Sequence, residues 1–180
     1  MEISVRVATA DDAAAIARIH VRSWQSAYRG MIGDEILDGL SVDRRESDWR
    51  ERLGAGAPGE TIPFTLVAEL GDGTCGFCNV ARLDADAEAT IGALYLEPGH
   101  LRAGIGSALL RAALERLRGA GYDDVVLWVL KANHAARAFY ARFGFVADGA
   151  RERFGGAPEL RMRASLASSV SVSPNPSQEL

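Results

Sequence analysis

The 180 residues predict an α/β domain built on one mixed sheet flanked by helices, and three observations carry that reading. Strand-like runs alternate with runs of helical period along most of the chain, the pattern of a single sheet covered by helices. Residues 125–130 form a continuous apolar run of strand length, as expected of a strand buried on both faces. Ahead of that run, a strand-like segment closes on Pro98-Gly99, and a helix opens on Gly104-Ile105-Gly106.

The elements follow in order. Residues 3–7 alternate and read as a first strand. Thr9, with Asp12 three residues on, resembles a capping box. Ile16, Ile19, His20, Ser23, Trp24 and Ala27 then recur at helical spacing until Gly30 breaks the pattern. A second helical stretch runs from about Asp34 to Leu53, and a Gly- and Pro-rich loop follows it. Strands are expected over 64–70 and 75–83, with Gly71-Asp72-Gly73 as the turn between them. Residues 84–88 read as a polar loop and 90–96 as a further strand. A helix over 104–118 is capped by Gly119. Asn133 can cap a helix carrying Ala136, Phe139, Tyr140 and Phe143 on one stripe. Strands near 145–150 and 159–166 finish the domain, residues 1–166. The Ser-, Pro- and Asn-rich stretch 167–180 reads as a disordered tail.

Composition narrows the function. Apolar residues make up 48% and charged residues 24%, with a net charge of −4. Such a chain has no basic footprint for nucleic acid, so a polyanionic ligand would need locally aimed N–H groups. The apolar run 125–130 is far shorter than the roughly 20 residues that cross a bilayer. Met1-Glu2-Ile3-Ser4 lacks the basic and apolar regions of a secretory signal. The expectation is a cytoplasmic protein with no membrane partner. Cys75 and Cys78 have metal-ligand spacing, but a strand would point them to opposite faces, and no second Cys/His pair completes four zinc ligands. They read as small buried hydrophobes, and no metal is expected.

The chemistry sits in the segment Leu94-Tyr95-Leu96-Glu97-Pro98-Gly99-His100-Leu101-Arg102-Ala103-Gly104-Ile105-Gly106-Ser107. Free N–H groups at a helix start, together with the positive end of the helix dipole, form an anion site. Gly104 and Gly106 would let backbone approach a phosphate or pyrophosphate. The loop lacks the third glycine of a dinucleotide fingerprint and the G-K-[ST] of a P-loop. About thirty residues on comes Asn133-His134-Ala135-Ala136-Arg137-Ala138-Phe139-Tyr140-Ala141-Arg142-Phe143-Gly144-Phe145, of the form N-x-x-A-x-x-F-Y-x-x-x-G-F.

Together the two segments resemble the GNAT superfamily of N-acetyltransferases, in element order over 3–166 and sharply over 91–145. The resemblance implies acetyl-CoA as cosubstrate. Backbone of Leu94 and Leu96 would pair with its pantetheine arm. The N–H groups of Arg102, Ala103, Gly104, Ile105, Gly106 and Ser107 would cradle its pyrophosphate, and Asn133 would contact it near the sulfur. Tyr140 would hold or protonate the departing sulfur. Trp24 and Tyr28 would form a wall of the acceptor site. The acceptor would be a small-molecule or peptide amine, and a homodimer is left open. Two departures stand out. Leu101 replaces a common Gln or Arg, and neither of the family's glutamate base positions is kept, Thr90 and Trp128 standing there. Glu88, two residues before Thr90, is the candidate for a water-relayed base, against the plainer reading of a solvated loop carboxylate. With no base assigned, a non-catalytic acyl-CoA-binding or sensing module is the alternative.

Overall fold

A computed structural model of the chain describes residues 2–55, 62–71, 73–83 and 88–167. Residues 84–87 of the expected polar loop, Asp72 of the expected turn and 168–180 of the expected tail lie outside the described residues. The elements are β1 (Ile3–Val7), α1 (Ala13–Ala27), α2 (Asp34–Asp38), α3 (Val42–Gly54), β2 (Phe64–Leu70), β3 (Gly73–Leu83), β4 (Glu88–Leu96), α4 (Ile105–Gly119), β5 (Asp124–Leu130), α5 (His134–Ala141), β6 (Val146–Phe154) and β7 (Ala157–Ser165). The seven strands form one mixed sheet in the order β1-β2-β3-β4-β5-β7-β6. Among the seven described strands, β4 and β5 are the one neighbouring pair that runs parallel. The fold class is the one the sequence predicts.

Period-two alternation sends each strand's side chains to two cores. On one face Cys78, Val80, Ile91, Leu127 and Met162 meet Leu109, Leu110 and Leu117 of α4. On the other, Val67 and Phe77 meet Ile16 and Ile19 of α1 and Trp49 of α3. Leu166, buried beyond β7, is held by its N–H on Asp123 O at 2.7 Å.

Local chemistry corrects several expected bounds. The helix expected over 34–53 is two helices. Gly39 ends α2, and Ser41 caps α3 by accepting from Arg44 N at 3.2 Å. Gly119 is the last residue of α4 and not its cap, and the left-handed position falls to Gly121, φ 82°. β4 begins at Glu88, so this residue is not a loop carboxylate. Cys75 and Cys78 share one core and are not on opposite faces. The cause is a bulge: Ala68 pairs with Gly76 and Glu69 with Thr74, which leaves Cys75 as the extra residue of β3.

A second bulge shapes the centre of the molecule. Asn79 pairs with Ala93 and Val80 with Ile91, so Gly92 is extra on β4. A bulge bends its strand. β4 and β5 pair only at Ala89–Val125 and Thr90–Val126. Past Gly92 the two strands diverge, and a cleft opens in mid-sheet.

Candidate active site

One wall of the cleft is the far half of β4. Glu97 N–H bonds to Cys75 O at 2.8 Å, on the β3 side. Amide directions alternate along a strand. The N–H groups of Leu96 and Leu94 therefore face away from β3, into the cleft. Leu94 O faces the cleft too, whereas Leu96 O is taken by Ser23 Oγ of α1 at 2.5 Å.

At the mouth of the cleft the chain turns through residues 97–104 into α4. Arg102, φ 64°, and Gly104, φ 84°, are both left-handed. Arg102 is the only non-glycine described residue with that geometry, a strained conformation of the kind that gathers at ligand-binding turns. No side chain caps α4. The first bond in its ladder is Ala108 N–H to Gly104 O. Among the described residues, nothing accepts from the N–H groups of Arg102, Ala103, Gly104, Ile105, Gly106 or Ser107. Six donors at the positive end of a fifteen-residue helix form a ready cradle for an anion. A Cβ on Gly106 would sit 3.5 Å from Leu96 Cδ1 and from Phe139 Cζ, in the gap between β4 and α5. A groove beside α4, holding three arginines and one glutamate, continues from the loop, lined by Ser107, Arg111, Leu114, Glu115, Arg118, Arg142 and Phe143.

The other wall follows β5. Asn133 caps α5, its Oδ1 accepting from Ala136 N at 3.0 Å, which leaves the amide nitrogen without a bond among the described residues. Tyr140 lies on the α5 stripe between Phe139 and Phe145, with ring centroids 5.3 and 5.7 Å away. Its hydroxyl makes no hydrogen bond among the described residues. Burial pushes the phenol well above its ordinary range, with Cys78 and Tyr28 nearby adding to the effect. Such a phenol keeps its proton at neutral pH.

The third side comes from α1. Trp24 and Tyr28 meet edge-to-face at 5.3 Å. Tyr28 Oη shares a hydrogen bond with Tyr95 Oη at 3.1 Å. Burial raises both phenols. Trp24 Nε1 is buried without a partner, and Phe154 of the β6–β7 hairpin closes on the Trp24 ring at 5.3 Å. His20 belongs to the core behind this wall. It accepts from Trp49 Nε1 at 3.2 Å, and burial, aided by Arg45 and Arg52, lowers it to about 4.

The structure thus brings Leu94, Leu96, residues 102–107, Asn133, Tyr140, Trp24 and Tyr28 around one cleft. Glu88 stands apart. It begins β4 on the closed side of the two paired positions, bound by Arg163 and 3.8 Å from Arg161. The nine residues of β4 place Leu96 about 25 Å away, at ~3.3 Å per residue. The sequence reading missed Gly92 and Tyr95. A lone glycine inside a strand pattern was the available signal for the first. Tyr95 carried no signal, because its importance comes from meeting Tyr28 across the sheet. Among the described residues, no group of three or more His, Cys, Asp or Glu is placed to hold a metal ion, and no helix is long and apolar enough to cross a membrane.

Comparison with known proteins agrees with this geometry. The family model described as the acetyltransferase (GNAT) family matches residues 14–145. The chain is 30% identical over 134 residues to the N-acetyltransferase YuaI of Bacillus subtilis, covering 73% of each. It is 34% identical over 151 residues to a mycothiol acetyltransferase of Clavibacter sepedonicus, covering 82% of this chain and 44% of that one. Among solved structures, the PaiA N-acetyltransferase of Thermoplasma acidophilum in complex with coenzyme A superposes with a TM-score of 0.77 at 20% identity, covering 92% of this chain and 99% of that one.

Proposed function

The chain belongs to the acetyltransferase (GNAT) family, and on that premise we propose that it moves the acetyl group of acetyl-CoA to a primary amine by direct attack in a ternary complex. The observation that carries the reading is the cleft itself: unpaired N–H groups at its mouth and along one wall, and the unbonded Tyr140 hydroxyl on the other. Acetyl-CoA is also the molecule named with a solved neighbour, the yncA protein of Salmonella typhimurium, TM-score 0.70 at 20% identity over 97% of this chain.

The parts take these roles. The 102–107 N–H groups receive the pyrophosphate, and the groove beside α4 takes the remaining phosphate and base against Arg111 and Arg142. The pantetheine lies along β4 as an added strand on Leu94 and Leu96. Asn133 Nδ2 contacts the arm near the sulfur. A cleft-facing N–H of β4 stabilises charge on the thioester oxygen as the amine attacks. The C–S bond breaks, and Tyr140 gives its proton to the sulfur. A thiol has a pKa near 8.5, so the thiolate is a fair leaving group, and Tyr140 assists the step. Trp24 and Tyr28 form an aromatic wall for the acceptor.

An acetyl-CoA consumption screen over small metabolite amines, antibiotic amines and peptide N-termini, run beside calorimetric CoA binding, tests the reading. Turnover of at least one class supports it. CoA binding without turnover of any amine would identify a sensing module instead.

A further inference from the structure

The fold leaves a half-buried carboxylate at the acceptor side of the cleft without an assignment. Glu159 lies on β7 directly opposite Leu130, the last residue of β5. It shares its strand face with Ala157, two residues before it. Ala157 and Leu130 both pack in the cluster that contains Trp24 and Tyr28, so Glu159 is on the face of the sheet that forms the acceptor wall. Its charge reaches the Tyr28 phenol, and Tyr28 bonds to Tyr95 and lies near Tyr140.

The charges around Glu159 are few. Glu152 stands opposite on β6. Arg161, two residues along the same face, is engaged by Asp148 at 2.7 Å. Lys131, next after Leu130, is exposed. Among the described residues, neither Glu152 nor Glu159 has a cationic partner within 4.0 Å. Glu88, by contrast, is held by two arginines.

We propose that Glu159 is the proton acceptor of the reaction and selects a cationic amine as acceptor, an inference that rests on the acetyl-transfer reading above. The substrate arrives as an ammonium ion, which a half-buried carboxylate beside an aromatic wall attracts and orients. Glu159 takes one proton from it, directly or through one water. The neutral nitrogen then forms the C–N bond as the C–S bond breaks. Tyr140 protonates the sulfur and regains a proton from the new amide nitrogen. Glu159 releases its own to solvent, so one proton leaves per turnover. Burial and the neighbouring Glu152 carboxylate raise Glu159 to about 7, which suits a base working near neutral pH.

The test is the pH profile of kcat/KM for the best amine of the screen, measured for the wild type, Glu159→Gln, Glu159→Asp and Glu152→Gln. Melting curves and calorimetric CoA affinity are taken on the same samples. The wild type should show an acidic limb with a midpoint near 7. Glu159→Gln should lose that limb and fall in kcat/KM by roughly 10²–10⁴-fold, with CoA affinity unchanged. Glu159→Asp should recover part of the rate. Glu152→Gln should keep the rate and move the limb to lower pH, since a like charge is removed. A folded Glu159→Gln protein with wild-type rate and limb would overturn the assignment and leave the acetyl-transfer reading standing. A wild type that acetylates no amine would overturn both. Preference for neutral over cationic amines would overturn the substrate class.

Discussion

The proposed cofactor side and the proposed acceptor side of the cleft are built from different materials. The cofactor side is backbone: six N–H groups over residues 102–107, two more on β4, and glycines that keep side chains out of the way. The acceptor side is made of side chains brought from four places in the chain, Trp24 and Tyr28 on α1, Tyr95 on β4, Tyr140 on α5, and Phe154 with Glu159 on the β6–β7 hairpin. Backbone recognition depends on local conformation and tolerates changes in neighbouring side chains. Side-chain recognition depends on tertiary packing, and one substitution can redirect it. One scaffold can therefore hold the acyl donor constant while its acceptor varies.

The difference can be tested first where the effect should be greatest. Gly106→Val places a branched side chain in the gap between Leu96 and Phe139, where a Cβ alone already makes contact at 3.5 Å. Displacing the pyrophosphate from one or two N–H donors, each charge-assisted bond contributing ~1.5–3 kcal/mol, should weaken CoA binding by roughly 10²-fold by calorimetry. Gly104→Val is a poorer probe. Gly104 has φ 84°, so a β-branched residue there strains the loop itself, and melting temperature should fall together with affinity.

A smaller effect is expected at Trp24. Its Nε1–H makes no close hydrogen bond but lies near enough to the Tyr95 hydroxyl to act on that phenol, so Trp24→Phe removes a weakly engaged donor and keeps an aromatic ring. Melting temperature should change little, while KM for the amine shifts several-fold and CoA affinity stays put. A change in CoA affinity equal to the change in KM would show that the two sides are not separate.

The smallest effect is in stability against pH, and its sign differs between the half-buried Glu159 and the buried His20. Glu159 is raised to about 7 from 4.5. Between those values the native state holds a proton that the unfolded chain has lost, so stability falls as pH rises through the window. Glu159→Gln should match the wild type near pH 4.5 and melt a few degrees higher above pH 7. His20 is lowered to about 4 from 6.5. Here the unfolded chain takes up the proton first, so stability is full above 6.5 and is lost as pH falls toward 4. His20→Phe should flatten that acidic slope, at the cost of the bond from Trp49 Nε1. Thermal melts across pH 4–8 would separate the two.

The same division explains what was legible in the sequence. The β4–α4 turn and the start of α5 could be read because their signals are local: a strand end, two glycines at a helix start, and Asn133 three residues before Ala136, whose N–H its side chain accepts. Most of the sheet was legible for the same reason. The single helix expected over 34–53 went wrong where Gly39 and Ser41 together mark a stop and a new cap. Glu88 was legible as a carboxylate on the Thr90 face but not as an arginine-bound one, because Arg161 and Arg163 lie more than seventy residues away. Glu159 carried no signal at all. Its environment depends on the β5–β7 register and on the hairpin's approach to α1, and neither is encoded by nearby residues.

The measurement that bears most directly on the separation of the two sides is Tyr140→Phe, with kcat for acetyl transfer and the Kd for CoA determined on the same preparation. The hydroxyl makes no hydrogen bond among the described residues, so its removal should leave stability and CoA affinity unchanged, the latter within about twofold. Under conditions where chemistry limits the rate, kcat should fall by about 10²-fold, the low end of positioned acid catalysis, because the thiolate leaves readily. Equal kcat for the two proteins, or a loss of CoA affinity large enough to account for the lost rate, would contradict the account.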